Sequence, residues 1–145
     1  MGADRQERVG EIDASPDACY AILLDFESWP DWQPGLSEAT VLERDAEGRG
    51  VVAAFAADAV VKKIRYTVRY THEPPHRMSW VLVEGDVKAG DGEFLLDEIA
   101  PGRTRATYRL VSDLGFYVPG PLRRKGTELL MGGVIKGLQQ RAAAS

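Results

Sequence analysis

The chain of 145 residues has 44% apolar and 28% charged residues, the balance of an ordinary globular protein. Its formal net charge of −4 and pI near 5.2 provide no basic field for phosphate backbones, so we expect no nucleic acid partner. Residues 1–8 lack the apolar core of a signal peptide, and no segment approaches the roughly 18 apolar residues of a membrane span. We therefore expect a cytoplasmic protein without stable membrane insertion, folded as one domain over residues 1–145.

The opening third of the chain predicts one strand and two short helices. Residues 9–13 read as the strand, and Ser15 followed by Pro16 is the pair expected at the start of a helix. This helix ends near Trp29, and a short helical turn follows it. The single cysteine, Cys19, lies on the apolar face of the first helix, where a buried, unreactive thiol is expected.

Between Leu36 and Leu110 the apolar pattern changes to period two, which predicts a meander of about six antiparallel strands and about seven with the first strand. The clearest strand spans residues 60–71. Turn residues separate the strands at 45–48, 73–76, 88–92 and 101–102. The side chains predicted on the buried face are Ile64, Tyr66, Val68, Tyr70, Trp80, Leu82, Phe94, Tyr108 and Leu110.

The helical stretch from Leu122 to Ala144 is the element long enough to cover this sheet. Its unusual feature is a narrow arc that contains Gly126, Gly133 and Gly137. Glycine inside a helix destabilises it by roughly 0.5–1 kcal/mol relative to alanine, so the arc needs an explanation. Close backbone packing is one interpretation. The other is that the missing side chains leave room for a ligand, in which case Gly133→Leu would stabilise the empty protein.

The order of these elements resembles the helix-grip fold of the START-related superfamily, and within it the polyketide cyclase/dehydrase and coenzyme Q-binding branch. Local matches extend over most of the chain. They are Ser15-Pro16-Asp17, the segment 25–35 with its two tryptophans, the segment 79–86 in mid-sheet, and Val118-Pro119-Gly120-Pro121-Leu122.

This resemblance implies an α+β helix-grip fold, with a curved antiparallel sheet around a long C-terminal helix and two short helices after the first strand. It also implies a cavity between sheet and helix for lipids, polyketides, quinones or similar molecules. The expected ligand-binding residues are Trp29, Trp32, Phe55, Tyr66, Tyr70, Trp80, Phe94, Tyr108, Leu130, Gly133, Val134 and Gly137.

Motifs for other chemistries are missing from the sequence. It has no nucleophile elbow, dinucleotide-binding turn or phosphate-binding loop. His72 and His76 flank a predicted turn and are expected to be exposed, and with one cysteine they are too few for a zinc site. We expect no metal, no cofactor and no catalytic residue.

Two sets of aromatic residues remain open to two interpretations. Tyr66, Tyr70 and Tyr108 either donate hydrogen bonds to a ligand or pack with their hydroxyls at the rim, and packing is favoured for two of the three. Trp29 and Trp32 either close the mouth of the cavity or wedge the first helices against the sheet.

Reversible binding of a hydrophobic small molecule is the leading hypothesis for function. The alternative is a polyketide aromatase/cyclase-dehydratase, and a third possibility is an interaction module whose own side chains fill the cavity. An enzyme needs a positioned acid or base on the inner strand faces, whereas the pattern there is mainly apolar, so enzymatic activity is uncertain and disfavoured. A homodimer is possible.

Overall fold

The computed structural model describes residues 4–59 and 61–144, and Val60, the expected start of the clearest strand, lies outside them. An antiparallel sheet of order β1-β7-β6-β5-β4-β3-β2 faces a long C-terminal helix. The predicted α+β helix-grip fold, with about seven strands, is therefore confirmed. The elements are β1 (Asp4–Ile12), α1 (Pro16–Leu24), a 3-10 helix (Phe26–Asp31), β2 (Leu36–Arg44), β3 (Gly50–Asp58), β4 (Lys63–Glu73), β5 (Arg77–Gly85), β6 (Ala89–Ala100), β7 (Arg103–Asp113) and α2 (Gly120–Ala143).

The predicted start of α1 is confirmed. The Ser15 hydroxyl accepts a hydrogen bond from the Ala18 amide at 3.2 Å, and Pro16 occupies the first helical position. Cys19 is fully buried, as predicted, and burial raises the pKa of its thiol. The unreactive character expected of a thiol in such a site follows from that shift.

Two strand boundaries were predicted wrongly. β1 begins at Asp4 rather than residue 9, and it pairs with β7 along its whole length although its first half is polar. Edge strands often carry charged side chains. The polar composition of this half therefore gave no sign of a strand. At the other boundary, Val61 and Lys62 belong to a turn in which the Ala59 amide donates to the Lys62 carbonyl at 2.8 Å, so β4 begins only at Lys63.

The predicted turn at residues 88–92 is also wrong, because Gly90 and Gly92 lie inside β6. A Cβ on Gly92 would lie 2.5 Å from the Trp80 ring and 2.6 Å from the Arg109 carbonyl oxygen. The Trp80 indole donates to the Gly90 carbonyl oxygen at 2.9 Å. Glycine here lets a large ring from the neighbouring strand lie across β6 rather than marking a turn.

The core lies between the inner face of the sheet, α1 and the C-terminal half of α2. The period-two prediction is confirmed, since six of the nine inner residues are buried and Tyr66, Leu82 and Leu110 are half-buried against the same core. From α2, the buried side chains are Met131, Val134, Ile135, Leu138 and Ala142. Among the described residues, no helix is long and apolar enough to cross a membrane.

Close backbone packing explains two glycines of the arc on α2. A Cβ on Gly137 would overlap the carbonyl oxygen of Trp32, and a Cβ on Gly133 would overlap the ring of Pro34. The interpretation that both positions leave room for a ligand is therefore wrong. The expected stabilisation by Gly133→Leu fails for the same reason, because the larger side chain would overpack the contact.

The contact at Gly137 leads to a prediction about two neighbouring glycines. Gly137→Ala should lower the free energy of unfolding by about 1–3 kcal/mol, because the Trp32 backbone cannot move aside as a flexible side chain would. Gly132→Ala is the matched control. Its nearest atom outside the helix would be Arg8 Nη1 at 3.6 Å, so the better helix propensity of alanine should raise stability by roughly 0.5–1 kcal/mol. Urea unfolding of both variants measures whether the free energy of unfolding falls or rises. An increase in Gly137→Ala would contradict the packing role of this glycine.

Candidate functional site

A cavity of about 540 Å³ lies between the inner face of the sheet and the N-terminal half of α2. Its volume falls within the range of roughly 300–1,000 Å³ that is usual for small-molecule sites. Strands β3 to β7 form one wall, and α2 contributes Leu122, Gly126 and Leu130. The remaining walls come from residues 33–36 after the 3-10 helix and from residues 114–118 before α2.

Eight of the twelve side chains predicted for ligand contact line this cavity: Trp29, Phe55, Tyr66, Tyr70, Trp80, Phe94, Tyr108 and Leu130. Trp32, Gly133, Val134 and Gly137 do not. Val134 is fully buried in the core, and the other three meet where α2 packs on the segment after the 3-10 helix. The free space therefore lies under the first half of α2, nearer its N-terminus than the sequence indicated.

The two tryptophans of the first motif have different surroundings. Trp29 stacks on Phe55 with 5.5 Å between ring centroids, and its indole nitrogen donates to the Leu23 carbonyl oxygen at 3.1 Å. Trp29 therefore forms a rigid part of the cavity wall. Trp32 lies beneath Gly137 and packs on α2, so it neither lines the cavity nor wedges a first helix against the sheet at this contact.

Three tyrosines provide the polar atoms on the inner wall. Tyr66 and Tyr70 project from β4 and Tyr108 from β7, and no residue of the described chain exchanges a hydrogen bond with their hydroxyls. Burial raises the pKa of Tyr66 to about 12. Burial, and then the charges that Tyr66 and Tyr108 would carry, hold the pKa of Tyr70 well above its usual value. Burial and then Tyr66 raise the pKa of Tyr108 as well.

The charged lining residues are all half-buried or exposed. They are Asp4, Asp58, Asp113, Arg123 and Lys125. Arg123 Nε lies 3.9 Å from Asp4 Oδ2, a surface pair of little energetic weight. Within residues 4–59 and 61–144, no group of three or more His, Cys, Asp or Glu side chains is placed to hold a metal ion.

His72 does not lie in an exposed turn as predicted. It is half-buried on β4, where its Nδ1 hydrogen-bonds the Tyr20 hydroxyl at 2.8 Å and its Nε2 donates to the Gly50 carbonyl oxygen at 2.6 Å. The Tyr20 hydroxyl also donates to the Arg77 carbonyl oxygen at 3.0 Å. Neither side chain lines the cavity, so this network ties α1 to the sheet. His76 is exposed, as predicted.

Sequence reasoning missed the wall formed by Leu114, Phe116 and Val118. The signal was present, because the alternation that places Tyr108 and Leu110 inward continues through these residues. It was overlooked because this segment lies after the end of β7 and reads as a connection. The backbone bends at Gly115, where φ is 77°, and Leu114, Phe116 and Val118 nevertheless all border the cavity.

The comparisons with known proteins agree with this geometry. Residues 5–145 match the family described as polyketide cyclase/dehydrase and lipid transport, and the chain belongs to this family. A comparison with curated proteins finds no match.

Solved structures share the fold at low sequence identity. A START superfamily protein from Mycobacterium smegmatis is 21% identical, with a TM-score of 0.85 over 99% of both chains. A protein from Thermus thermophilus is 21% identical, with a TM-score of 0.78 over 97% of this chain and 98% of that one. The Zhui aromatase/cyclase from a Streptomyces species is 16% identical, with a TM-score of 0.75 over 96% of this chain and 95% of that one.

The buried phenols predict a loss of stability at high pH. An unfolded tyrosine ionises near pKa 10, whereas Tyr66, Tyr70 and Tyr108 keep their protons to higher pH in the folded state. The stability that these neutral groups contribute is therefore complete below about pH 10 and is lost as the pH rises through the folded pKa values. The urea midpoint should fall between pH 10 and 12, and should fall less in Tyr70→Phe. Equal pH dependence in Tyr70→Phe and the wild type would contradict the raised pKa of Tyr70.

Proposed function

We propose that this protein binds a small hydrophobic molecule reversibly in the cavity under α2, and so carries or sequesters it. The observation that supports this proposal is the space of about 540 Å³ among apolar and aromatic side chains. An interaction module would have no need of such a space, because its own side chains would fill it. The family description, which includes lipid transport, is consistent with this function.

The opening of the cavity fits a ligand that enters from water. Leu122 and Leu129 are 46% and 61% exposed at this end of α2, beside the charged side chains of Arg123 and Lys125. Exposed apolar residues at the rim let an apolar molecule leave water in stages, because part of its surface is covered before it enters the cavity. The charged residues keep the same rim hydrated.

A polyketide cyclase-dehydratase is the alternative, and the tyrosine hydroxyls in the cavity are the feature that favours it. Aldol closure requires a base to remove a proton from the ligand. The raised pKa values of Tyr70 and Tyr108 keep these phenols neutral near pH 7, so they can donate hydrogen bonds but cannot accept that proton. The lining carboxylates Asp58 and Asp113 are exposed and half-buried, respectively, whereas Tyr70 and Tyr108 are buried. Binding is therefore the function that the geometry supports better.

Filling the cavity should abolish binding. We expect wild-type protein to bind the uncharged probe N-phenyl-1-naphthylamine saturably, with a rise in its fluorescence. Leu130→Trp places a large ring in the cavity and should weaken binding about ten-fold or more, and Ala57→Phe from the opposite wall should act in the same direction. The control is Leu42→Trp on the exposed side of β2, where the residue is 55% exposed.

Thermal unfolding shows whether each variant is folded. The two cavity variants test the same space from opposite sides, so one suffices if the other folds poorly. Absence of saturable binding by the wild type, or unchanged affinity in a folded cavity variant, would refute the proposed function.

A further inference from the structure

Residues 33–36, which form part of the cavity wall, also form one side of a groove on the protein surface. The groove has a volume of about 570 Å³ and runs along α2, where the exposed side chains of Lys136 and Gln140 border it. All four residues of the segment line both the groove and the cavity. Pro34 and Gly35 are also exposed. The cavity wall is therefore one chain thick here, and we call residues 33–36 the strap.

The strap crosses from α2 to β3. At α2, the ring of Pro34 lies on Gly133, whose missing side chain leaves space for it. At β3, the Asp58 amide donates to the Gly35 carbonyl oxygen at 2.8 Å. Gly35 has a φ of 78°, a conformation that glycine adopts without steric cost. Because glycine has the widest choice of backbone conformations, the strap can bend at this residue.

Two unpaired donors make the closed strap less stable than its packing alone would suggest. Trp32 Nε1 and Gln33 Nε2 are sealed from solvent, and neither has a hydrogen-bond partner among the described residues. A buried donor without a partner destabilises the state that buries it, and contact with water removes that penalty. Gln33 belongs to the strap, and Trp32 lines the groove directly before it, so lifting the strap would bring water to these atoms. The difference in free energy between the closed and the open strap is therefore reduced.

We propose that the strap is a gate, which lifts from Gly133 and opens a second entrance to the cavity between α2 and β3. The Pro34 ring leaves Gly133 in this movement, while the Trp32 backbone keeps its contact with Gly137. Exchange through this entrance adds to exchange at the end of α2 near Leu122. The inference rests on the proposed function, because a gate requires a ligand that enters and leaves the cavity.

A disulfide between the strap and α2 tests the gate. A Cβ on Gly133 would lie 3.4 Å from the Pro34 Cβ, close to the roughly 3.5–4.5 Å that a disulfide requires. Oxidised Pro34→Cys/Gly133→Cys protein should bind and release N-phenyl-1-naphthylamine about three-fold or more slowly than the same protein after reduction. The dissociation constant should not change, because a closed gate slows both directions equally. Stopped-flow fluorescence measures association directly, and release into excess β-cyclodextrin.

A second disulfide on the same helix is the matched control. A Cβ on Gly10 would lie 3.9 Å from the Ile135 Cβ, so Gly10→Cys/Ile135→Cys can link α2 to β1 instead of to the strap. Neither residue lines the cavity. Oxidation of this variant should leave both rates unchanged. Equal slowing by the two disulfides would mean that the stiffness of α2 controls exchange, and would refute the gate.

A single substitution tests the gate in the opposite direction. In Gly133→Ala the added methyl group would overlap the Pro34 ring and hold the strap away from α2, so both rates should rise about three-fold or more. Gly132→Ala, which has no contact with the strap, should leave the rates unchanged. Urea unfolding shows that each variant is folded. If the disulfide does not form in Pro34→Cys/Gly133→Cys, the Gly133→Ala result decides.

The possible outcomes separate the gate from the function on which it rests. Slower exchange in the oxidised strap variant and faster exchange in Gly133→Ala support the gate. Rates that do not respond to oxidation, or to Gly133→Ala, refute it while hydrophobic binding stands. A change in the dissociation constant with an unchanged association rate would show that the strap shapes the cavity without gating it, and would also refute the gate. If wild-type protein does not bind N-phenyl-1-naphthylamine at all, the proposed function itself fails.

Discussion

At Gly137, α2 lies so close to the Trp32 carbonyl that even a methyl group on the helix would overlap it. Together with the contact between Gly133 and Pro34, this fixes the C-terminal half of the helix on the segment after the 3-10 helix. The side chains around this contact, including Val134 and Leu138, are fully buried. The N-terminal half has no such contact with that segment, and it is the half that borders the cavity. Tight packing at one end of α2 therefore permits an open space at the other without loss of a stable core.

Side chains on the inner face of the sheet also contribute both to the core and to the cavity. Val68 and Phe94 are almost fully buried and contribute to the core, while also forming part of the cavity wall. Tyr66, on the same strand as Val68, is only half-buried because its ring reaches into the free space. One stripe of side chains thus supplies both stability and a binding surface. Substitutions there affect both, and for that reason the informative variants are those, such as Tyr70→Phe, that remove one atom and retain the shape of the ring.

How far the sequence predicts this protein depends on the range of the interaction involved. Alternation along β4 and the Ser15-Pro16 helix start are local signals, and both predictions were confirmed. Glycine is harder to interpret, because a missing side chain indicates a close neighbour without naming it. Trp80 fills the space at Gly92, and the Trp32 backbone fills it at Gly137. Each of these neighbours lies on another element of the fold. The sequence alone therefore could not show whether a glycine marks a close neighbour, a turn or space for a ligand.

The tyrosine cluster illustrates the same limit for the site. Alternation was enough to place Tyr66, Tyr70 and Tyr108 on the inner face, and they line the cavity. Whether a hydroxyl finds a protein partner depends on three-dimensional neighbours, and the contrast with Tyr20, which hydrogen-bonds His72 and the Arg77 carbonyl, shows this. Packing alone would favour phenylalanine at a buried position without a partner. The hydroxyls of the three cavity tyrosines are not among the sealed, unpartnered side-chain atoms of the described residues, so they open onto the free space and do not carry that penalty in full.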